Sequence, residues 1–209
     1  MEEERDKEAK LKDIESTLRE DTKTPLREAN LVFGEGAPNA DVCFVGEAPG
    51  FYEDREGRPF VGRAGKLLDK LIEDVGWKRE DVYITNIVKR RPPENRDPMP
   101  DEIAAFAPYL SQQLDAIDPK IIVPLGRFAM NYFLPTAKIS KDQGKLFWWG
   151  QKLIIPMYHP AAALRSTNVL KDLETSFRKI PAALVKYDLL VKDRISPQKQ
   201  NPPQQKALF

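Results

Sequence analysis

Short apolar runs and amphipathic segments alternate along this chain. The apolar runs predict strands at 41–45, 82–88, 121–125, 146–149 and 152–156. Between them, apolar residues recur at helical spacing and predict helices at 2–19, 64–75, 100–117, from 126 onward and at 170–187. Because strands alternate with helices and two strands are almost continuously apolar, the pattern predicts an α/β fold with a parallel sheet covered on both faces.

The length of the chain suits one domain. With 209 residues, 41% of them hydrophobic, it can build one sizeable core. We therefore predict a single domain over residues 1–190, in which residues 1–20 hold the first helix. Residues 191–209 are predicted to form a flexible C-terminal tail, because the sequence from Ser196 onward is polar and rich in proline.

Composition excludes several classes of protein. No apolar stretch approaches the roughly 20 residues of a membrane span, and the charged start is unlike a secretory signal. We therefore expect a cytoplasmic protein with no membrane association. The single cysteine, Cys43, excludes an internal disulfide, and with one histidine it leaves no Cys/His metal cluster. The net charge of +1 means that any attraction to phosphate must come from local patches.

The only histidine, His159, follows the apolar run at 153–156. In open α/β sheets ligands bind beyond the carboxyl ends of the strands, and His159 lies where such a strand is predicted to end. A structural role is the alternative, since a histidine on a loop has no claim to chemistry by itself. Its position makes His159 a candidate acid or hydrogen-bond donor.

Three other features near the predicted strands are candidates for ligand binding. GEAPG at 46–50 lacks the lysine and hydroxyl residue of a phosphate-binding loop. Asn86 ends the second strand, and its amide offers both a donor and an acceptor to a pyrimidine edge. Phe60, held between Pro59 and Gly62, presents a ring suited to stacking on a base. The structural alternatives are a tight turn, a turn-forming asparagine and a ring plugged into the core.

Basic residues flank the same predicted edge. Lys89, Arg90, Arg91 and Arg96 form the densest cluster, and the pair at 165–166 is a second group suited to phosphate. Charge runs are usually solvated faces and carry little weight alone. Their agreement in position with the strand-end segments favours binding to a phosphate backbone.

Six motifs occur in one order along the chain: VFGEG at 32–36, VGEAPG at 45–50, GRPFVG at 57–62, TN at 85–86, KRRPP at 89–93 and HPAA at 159–162. Over residues 17–187 the chain resembles the family-4 uracil-DNA glycosylases. The resemblance implies a three-layer α/β/α sandwich with a central four-stranded parallel sheet. It also implies a monofunctional DNA repair enzyme that flips uracil out of DNA and hydrolyses its glycosidic bond, leaving an abasic site.

The resemblance implies a role for each matching residue. The catalytic positions are His159, Glu47 and Glu53. The positions expected to bind uracil are Phe60, Asn86, Gly46 and Gly50. The positions expected to contact DNA are Lys89, Arg91, Leu164, Arg165 and Ser166.

The chain departs from this family at four positions. Family-4 enzymes typically hold an iron–sulfur cluster on four cysteines, and the matching residues here are Asp21, Thr24, Arg90 and Phe106. We therefore predict no cluster, no metal and no organic cofactor. Our hypothesis is that packing by Phe106 and an ion pair between Asp21 and Arg90 hold the same loops together.

Partners follow from the same resemblance. The expected partner is uracil-containing DNA, single- or double-stranded, bound by a monomer that associates with the nucleoid. The final residues, QQKALF at 204–209, weakly resemble a shortened sliding-clamp-binding peptide. Two alternatives stay open: a catalytically idle module that binds uracil or DNA, and a glycosylase for another deaminated base such as hypoxanthine or xanthine.

Overall fold

A six-stranded sheet forms the centre of the protein, of which a computed structural model describes residues 2–195. The strands are β1 (Glu35–Gly36), β2 (Val42–Gly46), β3 (Tyr83–Asn86), β4 (Ile121–Pro124), β5 (Phe147–Trp149) and β6 (Lys152–Ile154). Their order across the sheet is β1-β3-β2-β4-β6-β5. The four central strands are parallel neighbours, and β1 and β5 add antiparallel edges. The α/β fold is confirmed, and the sheet is two strands wider than the four-stranded one expected.

Nine helices accompany the sheet within the described residues. They are α1 (Glu2–Glu20), α2 (Phe51–Glu56), α3 (Arg63–Asp74), α4 (Pro100–Ile117), α5 (Arg127–Phe133), α6 (Ile139–Asp142), α7 (Pro160–Ala163), α8 (Thr167–Phe177) and α9 (Lys179–Ile195). None of these helices has both the length and the hydropathy that crossing a membrane requires.

The C-terminal helical region differs from its prediction. One helix was expected over 170–187, but α8 ends at Phe177 and α9 begins at Lys179. Pro181 accounts for the break, since it has no N–H to bond back to the carbonyl of Phe177. Helix α9 continues to Ile195, past the predicted domain boundary at 190, so the first residues of the expected tail are helical. Residues 196–209 lie outside the described part of the chain.

Alternate residues of each strand pack into two separate hydrophobic clusters. Val42 and Phe44 of β2 pack with apolar residues of α3, α8 and α9. Cys43 and Val45 pack with apolar residues of α1, α4 and α5. This alternation follows from the two-residue repeat of a strand, and it places helices against both faces of the sheet.

The carboxyl ends of the parallel strands meet at one edge of the sheet. Gly46 at the end of β2 lies in register with Asn86 at the end of β3. The chain beyond β4 and β6 continues side by side, with a bridge between Leu125 and Met157. His159 therefore follows directly from the paired region at the edge where Asn86 ends its strand.

Candidate active site

A cavity of about 500 Å³ opens at this edge of the sheet. Its volume is within the usual range for small-molecule sites, roughly 300–1,000 Å³. Six residues expected from the sequence as catalytic or uracil-binding line it: Glu47, Gly50, Glu53, Phe60, Asn86 and His159. Gly46 lies next to two of them, Asn86 and Phe60. Arg165 lines the cavity as well, together with residues that the sequence did not indicate, among them Asn95 and Asp97.

His159 is the N-cap residue of α7. Its Nδ1 accepts a hydrogen bond of 3.1 Å from the backbone N–H of Ala161, so the proton of the neutral ring is on Nε2. Burial lowers the pKa of His159 to about 4, and the nearby Glu53 carboxylate only partly opposes this shift. At neutral pH the side chain is therefore an uncharged hydrogen-bond donor.

Asn86 is buried, with 2% of its surface exposed, and its side chain faces the cavity. No hydrogen bond joins its amide to another residue within 2–195, and its polar atoms are not among the fully enclosed atoms that lack a partner, so they are open to the cavity. Amide atoms that are open to a cavity can pair there with water or with a ligand. Asn86 thus offers the cavity one donor and one acceptor that no other described residue uses.

Gly46 keeps space open beside Asn86. A Cβ atom at Gly46 would collide with Oδ1 of Asn86 and would lie 2.6 Å from the ring of Phe60. Only glycine leaves both side chains in place. The predicted importance of Gly46 therefore has a steric basis.

Phe60 has a strained backbone, with a φ angle of 51° that non-glycine residues rarely adopt. Glu53 holds this loop, because its Oε1 accepts hydrogen bonds from the N–H groups of Val61 and Gly62 at 3.0 and 2.9 Å. The ring of Phe60 stacks against that of His159, with centroids 5.6 Å apart and planes 28° apart. Glu53 thus positions the aromatic ring, a role that sequence reasoning missed.

Glu47 lies in the segment that follows β2 and lines the cavity. Burial, reinforced by the negative charge of Asp97, raises the pKa of Glu47 to about 7, and Arg127 partly opposes the shift. Arg127 and Asp97 form an ion pair of 3.3 Å between them. Both carboxyl forms of Glu47 are therefore populated near neutral pH, mainly because of burial, with smaller and opposite effects from Asp97 and Arg127.

The matching family model is described as the Uracil DNA glycosylase superfamily, and it covers residues 33–184. The chain belongs to this superfamily. A type-4 uracil-DNA glycosylase of Sulfurisphaera tokodaii is 52% identical over 161 residues, which are 72% of this chain and 73% of that protein. Proteins of the same description from Archaeoglobus fulgidus and Thermotoga maritima are 48% and 46% identical, over 72% and 71% of this chain and 80% and 82% of theirs.

The loop at 164–166 of this superfamily member lies beside the cavity. Arg165 lines the cavity, and the side chain of Leu164 is 43% exposed. Ser166 caps α8, because its Oγ accepts a hydrogen bond of 3.4 Å from the N–H of Val169. The exposed leucine and arginine are thus presented from a loop fixed between two helices.

Lys89 does not lie on the surface, and its predicted contact with DNA is wrong. The residue has no exposed surface, and its Nζ donates to Oγ1 of Thr85 at 2.6 Å and to Oε1 of Gln113 at 2.5 Å. Burial lowers the pKa of Lys89 to about 7. The side chain ties the end of β3 to α4, whereas its neighbour Arg91 packs over the ring of Phe51 at 5.2 Å.

Replacing Lys89 with methionine is expected to leave the salt dependence of DNA binding unchanged, because the ammonium group contacts no solvent. Replacing Arg165 with methionine is expected to lower the slope of log Kd against log salt by about 0.7, the loss of one phosphate contact to a single strand. Binding titrations of both variants at several salt concentrations measure this difference. A reduced slope in Lys89→Met would contradict the buried position.

The residues at the family's cluster positions do not fit an iron–sulfur cluster, which requires thiolate ligands. Asp21 accepts hydrogen bonds from the hydroxyl of Tyr109 at 2.6 Å and from the N–H of Lys23 at 2.8 Å. Phe106 is fully buried. Over the described residues, no group of three or more histidine, cysteine, aspartate or glutamate side chains is arranged to hold a metal.

The expected ion pair between Asp21 and Arg90 is wrong. Arg90 donates instead to the carbonyl of Ala29 at 2.5 Å, and its Nε is buried without a partner among residues 2–195. Tyr109 takes the place that was assigned to Arg90. The segment at Asp21 is therefore joined to α4 by the neutral hydroxyl of Tyr109, while Phe106 of the same helix packs in the hydrophobic core.

Proposed function

We propose that this protein removes uracil from DNA by hydrolysing the N-glycosidic bond and leaves an abasic site. The observation that carries the proposal is the unpartnered amide of Asn86, placed in one cavity with the ring of Phe60 and the neutral His159. Uracil is flat and offers one donor and two acceptors. A stacking ring, an amide and a single N–H donor complement it.

Recognition of the base falls to Phe60 and Asn86. The amide of Asn86 donates to O4 of uracil and accepts from N3–H, which satisfies both of its polar atoms. The ring of Phe60 covers one face of the base. The base has to leave the duplex stack to reach these groups, at a cost of about a few kcal/mol.

Bond cleavage leaves the electron pair of the C1′–N1 bond on the uracil ring. The Nε2–H of His159 donates to O2, where negative charge develops. A neutral imidazole suits this task, because it is a much weaker acid than imidazolium. It therefore stabilises the uracil anion by a hydrogen bond and keeps its own proton. A water molecule then adds its oxygen to C1′, and the Glu47 carboxylate accepts the proton released.

DNA contacts are assigned to the rim of the cavity. Leu164 enters the space that the flipped base vacates, and Arg165, Ser166 and Arg91 bind phosphates on either side. The exposed side chain of Leu164 and the position of Arg165 in the cavity wall support this assignment.

A gel assay with single- and double-stranded oligonucleotides tests the proposal. Uracil-containing strands are expected to give an abasic product that alkali cleaves. Binding without product would identify a catalytically idle module. Faster release of hypoxanthine or xanthine than of uracil would identify a glycosylase for another deaminated base.

Replacing Glu47 with glutamine is expected to flatten the pH profile of excision. In the wild type, the rate should rise with pH through a pKa of about 7, because only the ionised carboxylate accepts the proton of water. The glutamine variant lacks this titration and should be slower at every pH. Single-turnover rates across this range measure the effect, and an unchanged profile in Glu47→Gln would assign the titration to another group.

Three further proposals concern the oligomeric state, the place of action and a protein partner. We propose a monomer that works on DNA in the nucleoid and binds a sliding clamp through residues 204–209, which lie outside the described residues. Comparing the full chain with one that ends at Ser196 in a clamp pull-down tests this. Equal recovery of clamp by the two proteins would remove the idea.

A further inference from the structure

Two exposed aromatic side chains begin α2, between two residues, Gly50 and Glu53, that line the cavity. Phe51 and Tyr52 are 51% and 50% exposed, and they directly follow Gly50, which lines the cavity. Their rings are 5.4 Å apart and nearly perpendicular, at 84°. Single exposed apolar residues are ordinary, so the meaning of this adjacent pair depends on the charged side chains around it.

An arginine packs against each ring. The guanidinium of Arg91 lies 5.2 Å from the ring centre of Phe51, and that of Arg55 lies 5.3 Å from Tyr52. We call these four side chains the α2 row. Asp54 is 3.9 Å from Arg91 and Glu56 is 3.4 Å from Arg55, so part of the positive charge of the row is offset.

Unpaired cations lie on the neighbouring helix. Arg63, Lys66 and Lys70 of α3 are exposed and are spaced to share one face. Their side chains form no hydrogen bond or ion pair with any residue in the described range. A Cβ atom at Gly62, the N-cap of α3, would lie 3.6 Å from Cδ2 of Tyr52, so Tyr52 packs at the start of this helix.

Together these surfaces combine two rings with a positively charged helix face. The Glu53 carboxylate already accepts hydrogen bonds from the N–H groups of Val61 and Gly62 just before α3, so the positive charge of this surface comes from the three cations and not from the helix N-terminus. Aromatic rings beside a positive groove are the elements with which proteins bind single-stranded nucleic acid, because every base has a face that stacks. The unpaired cations complement a polyanion better than they complement an apolar partner.

We propose that the α2 row is a subsite for unpaired bases of the DNA strand that adjoin the flipped nucleotide. Bases stack on Phe51 and Tyr52, and the intervening phosphates lie against Arg63 and Lys66. Paired bases in a duplex are already stacked on one another and cannot use the rings. The subsite therefore favours single-stranded DNA, and its placement beside the cavity rests on the proposed function.

The test uses the full-length protein and a fluorescent single strand of thymidines, which contains no uracil. The double variant Phe51→Ala/Tyr52→Ala is expected to raise the Kd for this strand by about tenfold or more, given the effect of losing base–aromatic stacking. The Kd for a duplex of adenines and thymidines should stay at the wild-type value. Val185→Ala/Leu189→Ala, which alters exposed residues of α9, is the matched control and should bind both as the wild type does.

A second double variant shows whether the alanine variant binds weakly because it lacks stacking rings or because α2 has changed its structure. Phe51→Trp/Tyr52→Trp keeps aromatic rings and should restore the single-strand Kd. An unchanged single-strand Kd in the alanine variant overturns the proposal, and so does equal weakening of single-strand and duplex binding. Because the strand holds no uracil, failure of the wild type to release uracil would instead refute the proposed function.

Discussion

Replacing His159 with asparagine is expected to slow uracil excision by roughly 10²–10³-fold while the fold stays intact. The asparagine oxygen can accept the hydrogen bond from the Ala161 N–H that Nδ1 accepts in the wild type, so the start of α7 keeps its cap. The shorter side chain puts no donor where Nε2–H lies. Single-turnover rates on a uracil-containing single strand measure the loss, and thermal unfolding checks the fold.

Two companion variants assign the loss to the donor. His159→Ala removes both the cap and the donor and should also lower stability, by about 1 kcal/mol for the cap. His159→Gln places an amide nearer to the position of Nε2 and should recover part of the rate. Wild-type excision by His159→Asn would show that the leaving uracil receives its hydrogen bond elsewhere.

The protonation state of His159 gives a separate readout. Because burial lowers its pKa to about 4, the imidazole should stay neutral between pH 5 and 8, and its NMR signals should not titrate there. The unfolded chain binds a proton below an ordinary pKa of 6.5, whereas the folded chain binds one only near 4. This group therefore favours folding above pH 6.5, and its contribution falls as the pH drops from 6.5 to 4.

The parallel core of the fold could be predicted because continuous apolar strands leave a clear pattern. Strand β1 could not, because Glu35 and Gly36 carry no apolar signal and form a strand only by pairing with β3. The break between α8 and α9 was available in the sequence as Pro181, but the apolar spacing continues across it. The apolar pattern of the sequence therefore predicts a strand or helix best where that element is itself buried, because burial is what selects apolar residues.

The candidate site could likewise be predicted only in part from the sequence. Phe60, Asn86 and His159 each adjoin a strand end or a glycine-rich loop, and the structure brings them into one cavity. Lys89 was misassigned because its partner Gln113 is 24 residues away, on a helix whose packing the local sequence does not specify. The charge of Asp97 acts on Glu47 across an even greater sequence separation, which charge patterns along the chain do not reveal.

The aromatic ring of the site is held at a cost. The positive φ angle of Phe60 costs about 1–3 kcal/mol, and such strain persists only when the surroundings fix it. Two bonds to Glu53 do so from one side. On the other side, a Cβ atom at Gly65 would collide with the backbone of Phe60. The ring is thus fixed before any base arrives, and binding does not have to supply the free energy of ordering it.

Replacing Asn86 with leucine is expected to lower kcat/KM for uracil excision by roughly 10²–10³-fold, similar to the loss of a transition-state donor. Leucine has the branched shape of asparagine and loses both polar atoms, but its two methyl groups are larger than the amide oxygen and nitrogen, and the space between Asn86, Gly46 and Phe60 is tight. Loss of the amide itself should not lower the stability, because it has no partner among residues 2–195 to lose, so any fall in melting temperature measures the repacking around leucine. Asn131→Leu, on the exposed side of α5, is the matched control and should excise uracil at the wild-type rate.

Asn86→Asp distinguishes hydrogen bonding from shape. A carboxylate accepts from N3–H of uracil but offers no donor to O4, so this variant should also lose excision although its shape is preserved. If Asn86→Leu kept the wild-type kcat/KM, the uracil edge would be read by other groups and the amide would have no part in recognition. If Asn86→Leu and Asn86→Asp both lose activity while their melting temperatures hold, the unpaired amide is a group that the fold keeps for the substrate alone.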